Sequence, residues 1–454
     1  MNPFALPSGQ FSGDTFPIFR DGVWHLFHMM PPVIAHHVSR DLLQWEAWPT
    51  AVTPGAAGEP DSGGVATGCV VEHAGRYYHF YTGNQQICLT LSDDLAQWTK
   101  YAGNPVARSD GDIYGSDNFR DPFVFRYEPE SCWWMLFGAQ TRGVSAQRAG
   151  CVGLAKSPDL LHWKLHPPLW APHIGPHADC PQLMQHLNRW WLCYLQRNTR
   201  YRVAVSPSGP FRRPATRNLG TSLLAAASRP VWDGRRWVVL PFVMRLQNDD
   251  DEGAWEYGGP LAIPRQLDFH VDCTITERPV EEMLAQIRAL PEPGDAYTGT
   301  QPLTGSWTRA GQRTESTHPD GGTLLLPALP ADLYLEFTLA IADLDSDFHL
   351  LLRTSPDLLR GYQLSLHPST AQVSLRSISQ WDTDRVLASR SVALTAKKPI
   401  TVRVFLCGSI CEVFLDDRCS LTARLYRWRD GIHGLEFRDG TGSITNLAWR
   451  PFTM

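Results

Sequence analysis

No apolar run in the 454 residues is long enough to cross a membrane. The first seven residues, Met1-Asn2-Pro3-Phe4-Ala5-Leu6-Pro7, hold neither a basic segment nor a long apolar one. No export signal is therefore expected, and the expected compartment is the cytoplasm. Positive charge is not in surplus: 41 Lys and Arg stand against 46 Asp and Glu, a net charge of −5. That balance speaks against nucleic acid as a partner. The ten cysteines form no Cys-x-x-Cys pair of the zinc type, and several fall inside apolar runs. Reduced thiols packed as small hydrophobes are expected. His36-His37 has no second pair near it in sequence, so no metal site is expected there; neither a metal nor a cofactor is expected elsewhere. Helical periodicity is also scarce, with one clear stretch at residues 277–290.

Aromatic residues are plentiful: 11% of the chain, with 17 Trp. They recur in units. Gly22-Val23-Trp24-His25-Leu26-Phe27 is followed by Ser39-Arg40-Asp41-Leu42-Leu43-Gln44-Trp45. Gly75-Arg76-Tyr77-Tyr78-His79-Phe80-Tyr81 is followed by Ser92-Asp93-Asp94-Leu95-Ala96-Gln97-Trp98. Cys132-Trp133-Trp134-Met135-Leu136-Phe137 is followed by Ser157-Pro158-Asp159-Leu160-Leu161-His162-Trp163. Weaker fourth and fifth copies run from Arg189 and from Gly234, the fifth with Pro260–Arg265 as its next strand. Each reads as an aromatic strand, a loop, a second strand and, in the first three, a Ser-x-Asp-Leu-x-x-Trp turn. Ser and Asp suit a tight turn by bonding nearby backbone. Five units of β-meander, none able to bury both faces alone, predict a five-bladed β-propeller over residues 1–276.

Residues 277–295 follow as a linker helix, with Pro279 in its first turn, acids after it and Arg288 late, as the helix dipole prefers. Alternating patterns at Leu333–Leu339, Tyr362–Leu366, Ile400–Phe405 and Cys411–Asp416 predict a β-sandwich over residues 296–454. The chain as a whole is expected to be all-β. Gln247–Gly253 is an acidic run without the spacing of an EF-hand loop, expected as a solvated loop near a pocket rim.

In a propeller the first strand of every blade lines the axial channel, so residues far apart in sequence converge at its mouth. Three acids occupy corresponding places. Gly13-Asp14 precedes Phe16-Pro17-Ile18-Phe19. Asn118-Phe119-Arg120-Asp121-Pro122 precedes Phe123-Val124-Phe125. Asp179-Cys180-Pro181 precedes Gln182-Leu183-Met184. Pro122 biases Asp121 toward an extended backbone. Two carboxyl groups flanking a glycosidic bond are what its hydrolysis requires, one as nucleophile or base and one as proton donor. A third can stabilise positive charge that develops on the sugar.

These motifs resemble those of glycoside hydrolase family 32, in the clan shared with family 68 and related to the family 43 propellers. Asn118–Pro122 resembles its Arg-Asp-Pro motif. Asp14, followed by Trp24-His25-Leu26-Phe27, resembles the block carrying the nucleophile. Thr67-Gly68-Cys69 resembles its Ser-Gly-Ser segment, and Asp179-Cys180-Pro181 its Glu-Cys-Pro block. Glu412-Val413-Phe414-Leu415-Asp416 resembles its C-terminal sandwich module, with structural support or sugar contact as the two roles open to it. The resemblance implies a retaining glycosidase acting on a small-molecule carbohydrate, a terminal furanoside of the β-fructofuranosidase type. It implies Asp14 as nucleophile, Asp179 as acid/base and Asp121 as transition-state stabiliser. Arg120, Thr67 and Gly68 are implied to contact substrate. Arabinofuranosidase or galactofuranosidase activity on the same fold is the alternative among enzymes. Two departures stand out: the family's Asn-Asp-Pro-Asn-Gly is absent around Asp14, and Asp179 is an Asp where the family has Glu. The shorter side chain leaves open a non-catalytic carbohydrate-binding protein, because a misplacement of about 1 Å can cost about a hundredfold in rate.

Overall fold

The aromatic repeats fold as four-stranded antiparallel blades in a computed structural model, which describes residue 4 and residues 11–215, 218–219, 225–291, 294–380 and 384–452. Blade one is Ile18–Arg20, Val23–Met30, Val33–Ser39 and Glu46–Val52, paired in chain order. Blade two is Val65–His73, Arg76–Gly83, Gln86–Ser92 and Thr99–Lys100. Blade three is Tyr114–Tyr127, Cys132–Thr141, Gly150–Ser157 and Lys164–Trp170. Blade four is Asp179–His186, Arg189–Gln196, Asn198–Ala204 and Asn218–Leu219. Blade five is Val231–Trp232, Trp237–Val239, Arg265–Phe269 and Ile275–Pro279. Its third strand thus starts where the expected Pro260–Arg265 strand ends. Pro260 and Leu261 instead lie against Phe242–Val243, outside the four strands of blade five.

The repeated turn is the same object three times. Ser39 Oγ donates to Asp41 Oδ1 (3.0 Å), which accepts from the N–H groups of Leu43 (2.9 Å) and Gln44 (2.8 Å). Leu42 sits at φ 67°, and the Trp45 indole donates to its carbonyl (3.1 Å). Ser92, Asp94, Leu95 and Trp98 repeat this, as do Ser157, Asp159, Leu160 and Trp163. The indoles plug the seams between blades. Trp98 stands edge-on to Phe27 of blade one, and Trp163 edge-on to Phe80 of blade two.

Thr15 closes the ring. It bridges His28 of blade one and, in parallel, Ser228 next to blade five; its N–H donates to Ala227 O (3.0 Å) and its carbonyl accepts from Arg229 N–H (3.0 Å).

The helix is shorter than expected. Glu277–Pro279 belongs to the outer strand of blade five, and the helix runs Glu281–Arg288, with Met283, Leu284 and Ile287 buried. Ladder bonding to Arg265–Phe269 outcompetes the helical start there. Beyond it, two seven-stranded antiparallel sheets stack around a core that includes Phe337, Phe348, Leu364, Val404 and Leu435. Among the described residues no helix is long and apolar enough to cross a membrane.

The acidic run is not a solvated loop throughout. Asp251 is buried, with its carboxylate accepting from Tyr362 Oη and from Tyr426 N–H (3.0 Å), both in the sandwich. Asp250 pairs with Arg427 (2.7 Å). A loop of blade five therefore clamps the second domain. The paired histidines of blade one contact one another across the strands. His25 Nδ1 lies 3.1 Å from His36 Nε2, and His28 Nε2 lies 2.9 Å from His37 Nδ1.

Candidate active site

The inner strands lose register at the channel mouth, each by one extra residue. In blade one Gly13 N–H donates to Met29 O while Met29 N–H donates to Asp14 O, so two residues face one. In blade two the register slips at Thr67, in blade three at Asp121-Pro122, and in blade four at Cys180-Pro181. Such bulges re-aim side chains. Asp121 therefore lies inside its strand rather than before it, at φ 60° rather than extended. The extra residue needs the left-handed region, which Asp tolerates better than most non-glycine residues.

The four bulges aim their side chains at one place. Asp14 Oδ2 accepts from Thr67 Oγ1 (2.5 Å), and Asp14 Oδ1 from Tyr257 Oη (2.8 Å). Asp121 Oδ2 accepts from Cys180 N–H (3.0 Å). The Cys180 thiol spans the two, 3.6 Å from Asp14 Oδ2 and 3.5 Å from Asp121 Oδ2. These three groups lie within 4.8 Å of one another and are the one cluster among the described residues with the spacing to hold a metal ion. Two acids and a thiol are explained equally well by sugar chemistry, and they supply too few hard ligands for a dedicated cation cage.

Asp179 is held by Arg120, whose guanidinium donates to Oδ2 (2.8 Å); Oδ1 is buried without a hydrogen-bond partner. Arg120 also stands 3.9 Å from Asp121. Gly138 makes the room: a Cβ there would meet Asp179 Oδ1 at 3.1 Å. Asp14 and Asp179 line an open cleft of about 740 Å³, with Tyr257, Phe242 and Met244 on the blade-five side. Asp121 lies deeper and is 4% exposed.

Burial pushes the Asp121 carboxyl up to about 7, helped by the nearby Asp179 and Asp14 carboxylates and opposed by Arg120. Burial raises Asp14 as well; the hydrogen bonds from Thr67, Tyr257 and Cys180 hold it down. The Cys180 thiol is raised far above its ordinary value, by burial and then by the two carboxylates, so it is a neutral donor and not a thiolate.

Thr67 and Gly68 serve differently from one another. Thr67 touches Asp14, whereas the Gly68 carbonyl accepts from Arg229 (2.6 Å) below the site. Two residues of this constellation carry no local motif. Tyr257 reaches Asp14 across 243 positions. Arg229 is buried on the axis and donates to the carbonyls of Gly68, Asp121 (2.9 Å) and Pro122 (2.6 Å), tying the bulges of blades two and three together.

The description "Glycosyl hydrolases family 32 N-terminal domain" matches residues 14–225, and "Glycosyl hydrolases family 32 C terminal" matches residues 299–450. A sucrose-6-phosphate hydrolase of Zymomonas mobilis is 27% identical over 311 residues, 59% of this chain and 59% of that one. A levanase of Bacillus subtilis is 34% identical over 190 residues, 37% of this chain and 26% of the levanase. The chain thus matches about three fifths or less of these relatives' length. The crystal structure of fructan 1-exohydrolase IIa from Cichorium intybus superposes with a TM-score of 0.72, covering 100% of this chain and 98% of that one at 18% identity. A sucrose-6-phosphate hydrolase structure from Lactobacillus gasseri gives 0.69 at 17% identity, over 100% of this chain and 94% of that one. At such identities the likeness is one of fold.

Proposed function

The chain belongs to glycosyl hydrolase family 32, and from that premise we propose that it is a retaining glycosidase releasing a terminal furanoside of the β-fructofuranosidase type. The observation that carries the reading is the convergence of three bulged strands: the Cys180 thiol spans Asp14 and Asp121, Arg120 stands between Asp121 and Asp179, and Asp14 and Asp179 open to one cleft. The names of the relatives, hydrolases of sucrose phosphate, levan and fructans, agree with it.

In this reading Asp14 attacks the anomeric carbon. Its two carboxylate oxygens are already fixed by Thr67 and Tyr257, which cuts the entropy of reaching the attacking geometry. Asp179 gives its proton to the leaving oxygen and takes one back from water in the second half of the reaction. Arg120 grips Oδ2, while Oδ1 is buried beside Gly138 without a hydrogen-bond partner. Asp121, deeper and close to Asp14, bonds the ring hydroxyls and offsets the charge of the oxocarbenium-like transition state. Gly138 lets the short Asp179 side chain advance beside the second strand of blade three.

The test is an assay with sucrose, 1-kestose and levan beside aryl arabinofuranosides and galactofuranosides, on the wild type and on Asp14→Asn and Asp179→Asn. Fructose release lost by at least a thousandfold in Asp14→Asn, with a β-configured first product by NMR, is the expected result. Turnover of none of them, with sugar binding intact in both variants, leaves the non-catalytic carbohydrate-binding reading that the Arg120–Asp179 ion pair favours.

A further inference from the structure

Of the eight methionines, Met29, Met30 and Met244 are the partly exposed ones among the described residues, and Met29 stands in the site itself. It lies on the second strand of blade one and is tied to the bulge there: its carbonyl accepts from Gly13 N–H (2.7 Å) and its N–H donates to Asp14 O (3.2 Å). Its sulfur is 3.1 Å from Tyr257 Oη and 3.4 Å from Thr67 Oγ1. These are the two hydroxyls that donate to Asp14, at 2.8 Å and 2.5 Å. Each hydroxyl has one proton, so carboxylate and sulfur compete for it. A thioether is a weak acceptor, and Asp14 keeps both donors. The other two methionines are placed differently. Met244 lines the cleft within an apolar group with Ala227 and Phe242. Met30 is one position beyond Met29 and, by strand alternation, faces the other side of the blade.

We propose that Met29 is a modification site, at which a hydroperoxide entering the cleft oxidises the sulfur, and that the sulfoxide turns hydrolysis down reversibly. In the step a sulfur lone pair attacks one peroxide oxygen. The S–O bond forms as the O–O bond breaks, and sulfur gives up two electrons. The departing hydroxide takes the proton left on the transferred oxygen and leaves as water. The Tyr257 and Thr67 hydroxyls beside the sulfur can donate to the departing oxygen as its charge develops, which favours Met29 over the apolar setting of Met244. The Cys180 thiol near Asp14 is neutral and therefore a poor nucleophile toward peroxide. A sulfoxide is polar where the thioether was not, and its oxygen is the better acceptor. It draws the Tyr257 and Thr67 donors off the Asp14 carboxylate, leaving the nucleophile harder to ionise and less firmly aimed. The effect on turnover rests on the glycosidase reading; the modification itself does not.

The experiment treats the full-length protein with graded hydrogen peroxide, maps every methionine by peptide mass spectrometry and assays sucrose hydrolysis on the acid limb. Expected is Met29 sulfoxide at doses that leave Met30 and Met244 less than about one-tenth oxidised, with at least a fivefold loss of kcat/KM that tracks it. Methionine sulfoxide reductases of both epimer specificities restore the rate, whereas dithiothreitol alone does not. Met29→Leu keeps its own untreated rate through the same treatment, and Met30→Leu loses as much as the wild type. Equal oxidation of the three methionines, full activity with Met29 oxidised, or a loss that the reductases cannot reverse overturns the proposal. So does a loss reversed by dithiothreitol alone, which places the lesion on the Cys180 thiol. Should Met29→Leu fail to fold, the peptide map and the reductase recovery of the wild type decide. A protein that hydrolyses no sugar refutes the glycosidase reading, while the map still judges Met29 as the oxidised residue.

Discussion

The hydroxyl of Tyr257 is bonded to Asp14 twice, accepting from its N–H at 2.9 Å and donating to Oδ1 at 2.8 Å. Phe11 and Phe242 pack against the ring, and a Cβ on Gly13 would meet the hydroxyl at 2.4 Å. Gly13 is therefore required where a side chain would expel Tyr257. The bond also lowers the Asp14 carboxyl, against burial, which raises it. Tyr257→Phe removes a donor to the ionised form, so the acid limb of the kcat/KM profile should move to higher pH by about one unit, with about a tenfold loss on the acid side. Gly13→Ala should shift the limb in the same direction. An unmoved limb with raised KM alone would make Tyr257 a wall of the cleft and nothing more.

Asp121 is expected to trade stability for function. Its carboxyl is raised to about 7 in the fold against 3.8 for the free group, chiefly by burial. The charged form is the disfavoured one. The cost is absent below about pH 4, grows as pH rises, and is complete above about pH 7. Three pH units correspond to about 4 kcal/mol as an upper bound. Asp121→Asn should thus raise the melting temperature at pH 8 but not at pH 4, while removing most activity at both. Equal effects at the two pH values would place the ionised carboxylate in a better-compensated site than its burial indicates.

What the sequence alone discloses follows the range of the interactions. The Ser-x-Asp-Leu-x-x-Trp turn is legible because all its hydrogen bonds close within four residues, so Asp41, Asp94 and Asp159 can be read as one motif. Asp14, Asp121 and Asp179 are legible because blade repetition places them in register. The left-handed backbone at Asp121 is not: an Arg-Asp-Pro string does not reveal a bulge, which depends on where the neighbouring strand bonds. Tyr257 and Arg229 are invisible for a stronger reason. Their partners lie in other blades, and a lone Tyr or an Arg-Pro pair carries no local pattern. Asp251 was hidden among neighbouring acids, and only docking against Tyr362 and Tyr426 distinguishes it.

Arg229 should prove indispensable to the site without touching the cleft. It holds three carbonyls at two bulges, and its own N–H bonds Thr15 beside Asp14. Arg229→Lys keeps the charge but can reach fewer carbonyls at once. Expected is a loss of at least a hundredfold in kcat with circular dichroism of the folded state retained. Normal kcat in Arg229→Lys would mean that the bulges keep their shape by strand pairing alone.

His79 sets part of the acid limit of the fold. Both ring nitrogens are buried without a partner, among Phe16, Phe27, Tyr81 and Trp98. Burial lowers it to about 3 from 6.5. Its neutral form contributes stability in full above pH 6.5, and that contribution is lost as pH falls from 6.5 toward 3. At pH 5 the loss is about 2 kcal/mol. His79→Phe, of similar shape, should therefore stabilise more at pH 5 than at pH 8, read as the difference between urea unfolding midpoints. The same gain at both pH values would trace the effect to packing rather than to protonation.

The seam between propeller and sandwich turns on Glu412, a residue of the second domain buried completely. It accepts from Ile263 N–H (2.7 Å), from Thr422 Oγ1 (2.6 Å) and from the guanidinium of Arg265, which also pairs with Glu277 (3.1 Å). Glu277 in turn accepts from Arg390 (2.9 Å) and Ser420 (2.9 Å). Two arginines and two glutamates from both domains thus balance inside one dry network, and Glu412 supports the fold rather than a sugar. Removing one member leaves a buried charge without its partner, which costs about 3–5 kcal/mol. Glu412→Ala should accordingly lower stability by that order and uncouple the two domains into separate unfolding transitions. Glu412→Gln retains the acceptor for Ile263 and Thr422 but drops the charge opposite Arg265, so an intermediate loss is expected. If the two variants lose the same amount, charge is the whole of the seam; if Gln is harmless, hydrogen bonding is.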